Sequence, residues 1–326
     1  MPLTAQDWYK NRPWIDEPDA DIDGYCRKLA RPEDYDLKAK LEYWQEHGVV
    51  IFENAIDTDL IDLLQEDLDA LVANPKDHEI FVEIAGRQRP ANECDAETLR
   101  NESRIKFCNV QCASLAAAHL SLSKCVTSFL GHIFQSPPCL LQSLLFHKGS
   151  QQPIHLDYPY VRTQKHLARM AASWIPLEDV HADSGPLEYF CGSQKPEIMP
   201  FFDWGGGNIV MDPDAQREPM EFSNYLTDQM KRLAIEPKVF LPKRGDVLIW
   251  HAYLAHAGTE IRNPALTRRS YVSHYAPLDA YPDLHMKPRA IEKGHCVARN
   301  GGYVFDLPWY NGKVKLPSHN ALSATV

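Results

Sequence analysis

The chain has no Cys-x-x-Cys pair, no basic run of five or more residues, and no apolar run near the ~18 to 20 residues a membrane span needs. The first absence argues against a zinc ribbon or a dithiol redox centre. The eight cysteines, Cys26, Cys94, Cys108, Cys112, Cys125, Cys139, Cys191 and Cys296, are scattered and read as reduced, mostly buried thiols of a cytosolic chain. Only Cys108 and Cys112 are spaced to share a helix face, a weak hint of a zinc pair. The second absence, with a net charge of −10, removes nucleic acid from the expected partners, because phosphate binding rests on clustered Lys and Arg. The third removes a membrane span. The segment Met1 to Lys10 lacks the apolar stretch of a secretion signal, and Ser323 to Val326 is no familiar retention or peroxisomal address. The expectation is cytoplasmic residence. Internal repeats and low-complexity segments are also missing, so one continuous fold over residues 1–326 is expected.

What is present divides by periodicity. Asp36 to His47 spaces apolar residues as a helix does, stops at Gly48 and runs into the strand-like Val49-Val50-Ile51-Phe52. Asp57 to Asn74 opens on Asp and Thr capping candidates and repeats Leu and Ile three and four apart, predicting a second helix. Ser114 to Phe134 predicts a third, stopped by Pro137-Pro138. From Leu140 the pattern changes to short apolar runs separated by Gly, Pro and Asp: Leu140 to His147, Met170 to Leu177, Pro186 to Phe190, Val239 to Leu241, Val247 to Leu254 and Ser270 to Tyr275. Such runs indicate a β-sandwich or barrel. Residues 1–135 are therefore expected to be mostly helical and 139–276 to form a β core. Residues 196–236, with a helix over Glu221 to Leu233, form a lid-like insert. Residues 277–326 are a C-terminal extension that packs across the barrel or forms a subunit contact.

One constellation carries chemistry. In Gln152-Pro153-Ile154-His155-Leu156-Asp157 an extended backbone points His155 and Asp157 to the same side. A second histidine from a distant strand would complete the 2-His-1-carboxylate set that holds Fe(II) on one face and leaves three positions open. In Gly245 to Gly258, GDVLIWHAYLAHAG, two histidines compete for that role. Five residues apart, His251 and His256 face opposite sides of a regular strand, so one of them should bind; His256 is the one at the strand's end, with Arg268 12 residues beyond it at the start of the next run. An arginine there suits the distal carboxylate of 2-oxoglutarate, which a guanidinium grips with two parallel hydrogen bonds. Arg268 and Arg269 are adjacent, so only one of them points into a barrel.

This set resembles the phytanoyl-CoA dioxygenase family of Fe(II)- and 2-oxoglutarate-dependent oxygenases. The resemblance runs from about Leu41 to Pro277, through Gly48 to Asn54, His155-Leu156-Asp157, Ser173 to Glu178, Ser184 to Ser193, the Gly245-Asp246 strand ending in His256, and Arg268-Arg269. It implies a mainly β fold with flanking helices, a double-stranded β-helix (jelly-roll, cupin-like) barrel. It further implies that His155, Asp157 and His256 ligate iron, that Arg268 clamps 2-oxoglutarate, and that Lys106 and Trp174 contact the cosubstrate. Many members follow the last iron ligand with Gly-Ser; here the chain has Ala257-Gly258-Thr259, so Thr259 is the stand-in. Related halogenases replace the carboxylate ligand with a small residue, and an aspartate at position 157 disfavours that branch.

The expected activity is an Fe(II)- and 2-oxoglutarate-dependent dioxygenase that uses O2 to hydroxylate a small organic metabolite, releasing succinate and CO2, as a monomer or homodimer. Arg162, Lys165, His166 and Arg169 form a positive cluster that gives a mild preference for an anionic substrate. Two other readings compete: a non-catalytic barrel that binds a small ligand, and a zinc-dependent cupin-like isomerase or hydrolase. Neither needs a cation one strand beyond the last ligand. Tyr158, Tyr160, Phe201, Phe202 and Trp204 read equally as pocket lining or as packing, and His147, His166, His181 and His274 as structural or surface histidines.

Overall fold

The computed structural model describes residues 12–77, 80–161, 163, 169–195, 202–206, 214–281, 296–306 and 316–322. Local chemistry sets the early elements. Helix α1 (Ile22–Arg27) is capped by the Asp21 side chain, and α2 (Leu37–His47) by Asp36, whose carboxylate accepts from Ala39 N. Gly48 then takes the left-handed conformation at φ 72° that ends α2 and turns the chain into β1 (Val49–Phe52). Helix α3 (Thr58–Ala73) follows, capped by Asp57. Next come a hairpin of β2 (Phe81–Ile84) and β3 (Arg87–Pro90), helix α4 (Ala96–Asn101) and strand β4 (Ile105–Cys108).

The helix expected over Ser114 to Phe134 is two helices, α5 (Leu115–Ser121) and α6 (Lys124–Phe134). They part at Ser123, whose extended backbone breaks the run and whose hydroxyl donates to Leu120 O. The remaining elements are β5 (Pro138–Phe146), β6 (Ala171–Pro176), β7 (Leu187–Tyr189), α7 (Pro219–Leu233), β8 (Lys238–Phe240), β9 (Val247–His251), β10 (His256–Gly258), β11 (Ser270–Pro277), β12 (Cys296–Arg299), β13 (Gly302–Phe305) and α8 (Pro317–Leu322). Cys108 ends a strand and Cys112 lies in a 3-10 turn, so the shared helix face expected of that pair is not formed.

Two sheets build the barrel. The larger runs β1-β9-β6-β11-β5-β4-β2-β3, with β13 joining β5 and β12 pairing β13; the smaller is β10-β7-β8. All of these pairings are antiparallel except the single contact of β13 on β5. The mainly β, jelly-roll reading therefore holds.

Strand alternation divides the side chains between two faces. Outward residues such as Val247, Ile249, Ala171, Ile175, Tyr271 and Tyr275 pack with the helices in one buried cluster. Inward residues Trp174, Leu248, Trp250, Val272 and Phe146 meet Leu187, Tyr189 and Phe240 of the smaller sheet in another. A third cluster, with Leu141, Ile154, Tyr158, Phe202, Trp204 and Phe222, includes the described part of the 196–236 insert. The C-terminal extension packs on the same body: β13 reaches β5, and Ser318 of α8 binds the buried Asp67 of α3 through its hydroxyl at 2.6 Å and its N–H at 2.9 Å. No helix among the described residues is long and apolar enough to cross a membrane.

Candidate active site

The apolar run that holds the two histidines is not one strand. Strand β9 ends at His251; Leu254 N donates to His251 O and Tyr253 N to His251 Nδ1, which turns the chain across to the smaller sheet. His256 then opens β10. The expected strand over Val247 to Leu254 is shorter for that reason, and His256 starts a strand rather than ending one. The asymmetry between the histidines stands. His251 points outward, with Nε2 3.0 Å from Asp16 Oδ2 and its ring against Trp44. His256 points inward and is buried.

Backbone pairing brings His256 to the His155 arm. His155 N donates to His256 O at 3.0 Å and His256 N to His155 O at 3.1 Å, so the first residue of β10 and the first residue of the His-x-Asp segment sit opposite each other. The two rings are 4.2 Å apart. Asp157 joins them: its Oδ1 lies 3.4 Å from His256 Nε2 and 3.9 Å from His155 Nε2. One donor atom from each of the three residues falls within 4.8 Å of the others, and all three residues are buried. Each histidine uses Nδ1 on a backbone carbonyl, His155 on Pro153 O and His256 on Leu254 O, both at 2.9 Å. That fixes the tautomer and leaves both Nε2 lone pairs turned to the shared centre.

The charges in this cluster are unequal. Burial, reinforced by His256, lowers the His155 pKa to about 3, so its imidazole is neutral. Burial alone would raise Asp157, but His256 and His274 outweigh it and hold its carboxyl well below the usual range. For His256 burial opposes charge and Asp157 overcomes it, raising its pKa. Two imidazole nitrogens and one carboxylate oxygen gathered in a buried cluster form a donor set suited to a divalent transition metal such as Fe(II).

Arg268 stands just before β11, with its N–H on His147 O, and is buried at 2% exposure. Its guanidinium lies 5.4 Å from the Trp174 ring and 5.5 Å from the Phe146 ring, and no carboxylate pairs with it among the described residues. Burial lowers its pKa to about 10, with Glu178 acting in the opposite direction. Glu178 itself is held by Arg269 N at 2.7 Å and Thr267 Oγ1 at 3.0 Å. Arg268 Nε and the neighbouring inward Ser270 Oγ are both buried with no hydrogen-bond partner among the described residues. An unpaired buried guanidinium costs several kcal/mol unless an anion meets it. Arg269, by contrast, reaches outward to Asp69 and Gln65 of α3.

The other sequence-derived candidates are placed unevenly. Trp174 faces Arg268, as above. Lys106 is inward on β4 and close enough to depress His155, but its Nζ is ion-paired with Glu83 at 2.9 Å. The Thr259 hydroxyl donates to Pro186 O at 2.9 Å, which spends its proton on the backbone next to β7. Of the positive cluster, Arg162, Lys165 and His166 lie outside the described residues, as does Phe201, while Arg169 binds Asp279 and Phe134 O. Two residues not foreseen reach the cluster. Trp250 Nε1 donates to Asp157 Oδ2 at 2.6 Å, and His274 Nε2 lies 3.5 Å from the same oxygen. The signal for His274 was parity: four residues after Ser270, it shares the inward face of β11.

A family model described as phytanoyl-CoA dioxygenase matches residues 44–270. The chain belongs to that family. No curated protein sequence matches it. Among solved structures, EctD from S. alaskensis with 2-oxoglutarate and 5-hydroxyectoine is similar at a TM-score of 0.55 and 16% identity, covering 94% of this chain and 91% of that one. SnoN, a non-heme α-ketoglutarate-dependent epimerase from nogalamycin biosynthesis, is similar at 0.52 and 16%, covering 74% and 83%. SnoK, a carbocyclase from the same biosynthesis, is similar at 0.52 and 13%, covering 77% and 86%. At these identities the likeness is one of fold, and it agrees with the jelly-roll barrel.

Proposed function

We propose that this member of the phytanoyl-CoA dioxygenase family is an Fe(II)- and 2-oxoglutarate-dependent dioxygenase that hydroxylates a small organic metabolite, with residues 1–326 acting as one oxygenase unit. The observation that carries the reading is the coexistence, inside one barrel, of a buried two-imidazole, one-carboxylate cluster and a buried arginine that no carboxylate pairs among the described residues. Bound iron, 2-oxoglutarate and O2 supply the oxidising power, with succinate and CO2 as coproducts.

The chain's own residues do the rest. His155, Asp157 and His256 hold the metal from one side, and Arg268 receives the far carboxylate of the cosubstrate while Trp174 fixes the plane of its guanidinium. Ser270 offers that carboxylate a hydroxyl. Lys106 would add positive charge on exchanging Glu83 for the ligand, and Thr259 would donate its hydroxyl hydrogen to the cosubstrate on giving up Pro186 O. The apolar cluster around Phe202, Trp204 and Phe222 keeps water away from the open side, the role of a lid.

A non-catalytic barrel and a zinc-dependent isomerase or hydrolase both leave Arg268 unexplained. Adding Fe(II) and 2-oxoglutarate to the anaerobic protein should produce a weak visible charge-transfer band, and 2-oxoglutarate should then drive oxygen consumption. If iron does not bind and no band forms, the reading is wrong; Asp157→Ala should lose both signals.

A further inference from the structure

Asp157 has two carboxylate oxygens, and they have different surroundings. Oδ1 faces the His155 and His256 Nε2 atoms. Oδ2 accepts the Trp250 indole N–H at 2.6 Å and lies 3.5 Å from His274 Nε2. The two donors come from β9 and β11, which flank β6 in the larger sheet, and both project from its inner face. Both are buried, Trp250 at 2% and His274 at 3% exposure. Asp157 itself sits on the arm outside that sheet, with its N–H on Ala252 O.

A carboxylate free to rotate can offer a metal one oxygen or both. Here a turn of the Asp157 side chain that brought Oδ2 to the metal would break a short charge-assisted hydrogen bond whose donor and acceptor are both buried. His274 adds to that restraint. Its Nδ1 is buried with no hydrogen-bond partner among the described residues, so the ring proton is better placed on Nε2, 3.5 Å from Oδ2.

We infer that Trp250 and His274 are positioning residues that confine Asp157 to a single metal–oxygen bond through Oδ1 and thereby keep three coordination positions open. The inference rests on the metal-binding reading above and extends it. Two positions would serve a chelating keto acid and one would serve O2; a chelating Asp157 would take one of the three.

The test uses the full-length protein loaded with Mn(II) without 2-oxoglutarate, and counts exchangeable metal-bound waters by water-proton relaxation. Wild type should hold three. Trp250→Phe, which keeps an aromatic ring in the barrel, and His274→Phe should each lower the count toward two and weaken Mn(II) binding ~10-fold. His274→Gln, which keeps an N–H donor at a similar reach, should restore the wild-type count. A purely structural role for either side chain would change thermal unfolding without changing the count. If His274→Phe does not fold, Trp250→Phe against His274→Gln makes the same comparison. Three waters on Trp250→Phe would overturn the inference while leaving metal binding intact. A wild-type protein that binds neither Mn(II) nor Fe(II) would overturn the metal reading itself, and this inference with it.

Discussion

Two histidines five residues apart differ in what their ring nitrogens meet. His251 spends one on Asp16 and the other on Tyr253 N, whereas His256 spends Nδ1 on a carbonyl and keeps Nε2 for the cluster. His251→Gln should therefore leave Fe(II) affinity at wild-type level and cost about 1 kcal/mol of stability. His256→Gln should abolish tight binding, which titration under anaerobic conditions reads directly. His147 gives a pH prediction. Burial, then Arg269 and Lys148, lowers its pKa to about 4, so in the folded protein it stays neutral where the unfolded chain would take up a proton. Its contribution to stability is present above pH ~6.5 and is lost as pH falls toward 4. Urea unfolding of metal-free protein across that range should show a decline that His147→Gln flattens by on the order of 1 to 2 kcal/mol, allowing for solvent screening. The chemistry legible in the sequence was what spacing encodes: His155 with Asp157, then His256, then Arg268. Trp250 and His274 were hidden because strand parity gives the face a residue occupies, not the atom waiting across the barrel.

At the scale of elements, β11 shows how one strand serves two purposes. Its inward residues, Ser270, Val272 and His274, follow Arg268 along the site, while Tyr271, Ser273 and Tyr275 are hydrogen-bonded to Ser121 of α5. The strand is thus held from behind by polar contacts that leave its front free. Elements with a strong cap or clean period were readable: α2 from Asp36 and Gly48, α3 from Asp57, β1 from its β-branched run. The β2–β3 hairpin was not, because Arg87-Gln88-Arg89-Pro90 has no alternation to reveal a strand. Close approach between elements gives a prediction of either sign. A Cβ on Gly258 of β10 would lie 2.4 Å from Ser150 Oγ and 2.9 Å from Gln151 N. Gly258→Ala should push β10 off the segment leading to His155, costing ~1 to 3 kcal/mol and weakening metal binding. Gly131, inside α6, has nothing within 4 Å of the same position and ordinary helical geometry. Gly131→Ala should stabilise the protein by ~0.5 to 1 kcal/mol. Thermal unfolding of the two variants side by side checks both.

At the scale of the molecule, distant segments are joined by buried polar contacts. Asp67 is fully buried and accepts hydrogen bonds from Ser114 and from Ser318. Removing residues 316–326 would take away two of those donors and leave a buried carboxylate underpaired. The truncated protein should lose roughly 2 to 4 kcal/mol and unfold at lower temperature, with Ser318→Ala giving a smaller loss of the same sign. That the extension beyond Pro277 packs on the body was left open by its sequence, since its Pro, Gly and aromatic content suits a strap and a subunit contact alike. The pairing of β1 with β9, Val49 beside Trp250, has a consequence for how the protein is made. A strand that leaves the ribosome about two hundred residues ahead of its partner has nothing to pair with until that partner follows. At ~5 to 20 residues per second, its unpaired edge waits on the order of ten seconds or more. Such non-local pairing slows folding and exposes a β-branched segment to aggregation meanwhile, so slower synthesis at low temperature with chaperones present is the condition under which this barrel should be recovered whole.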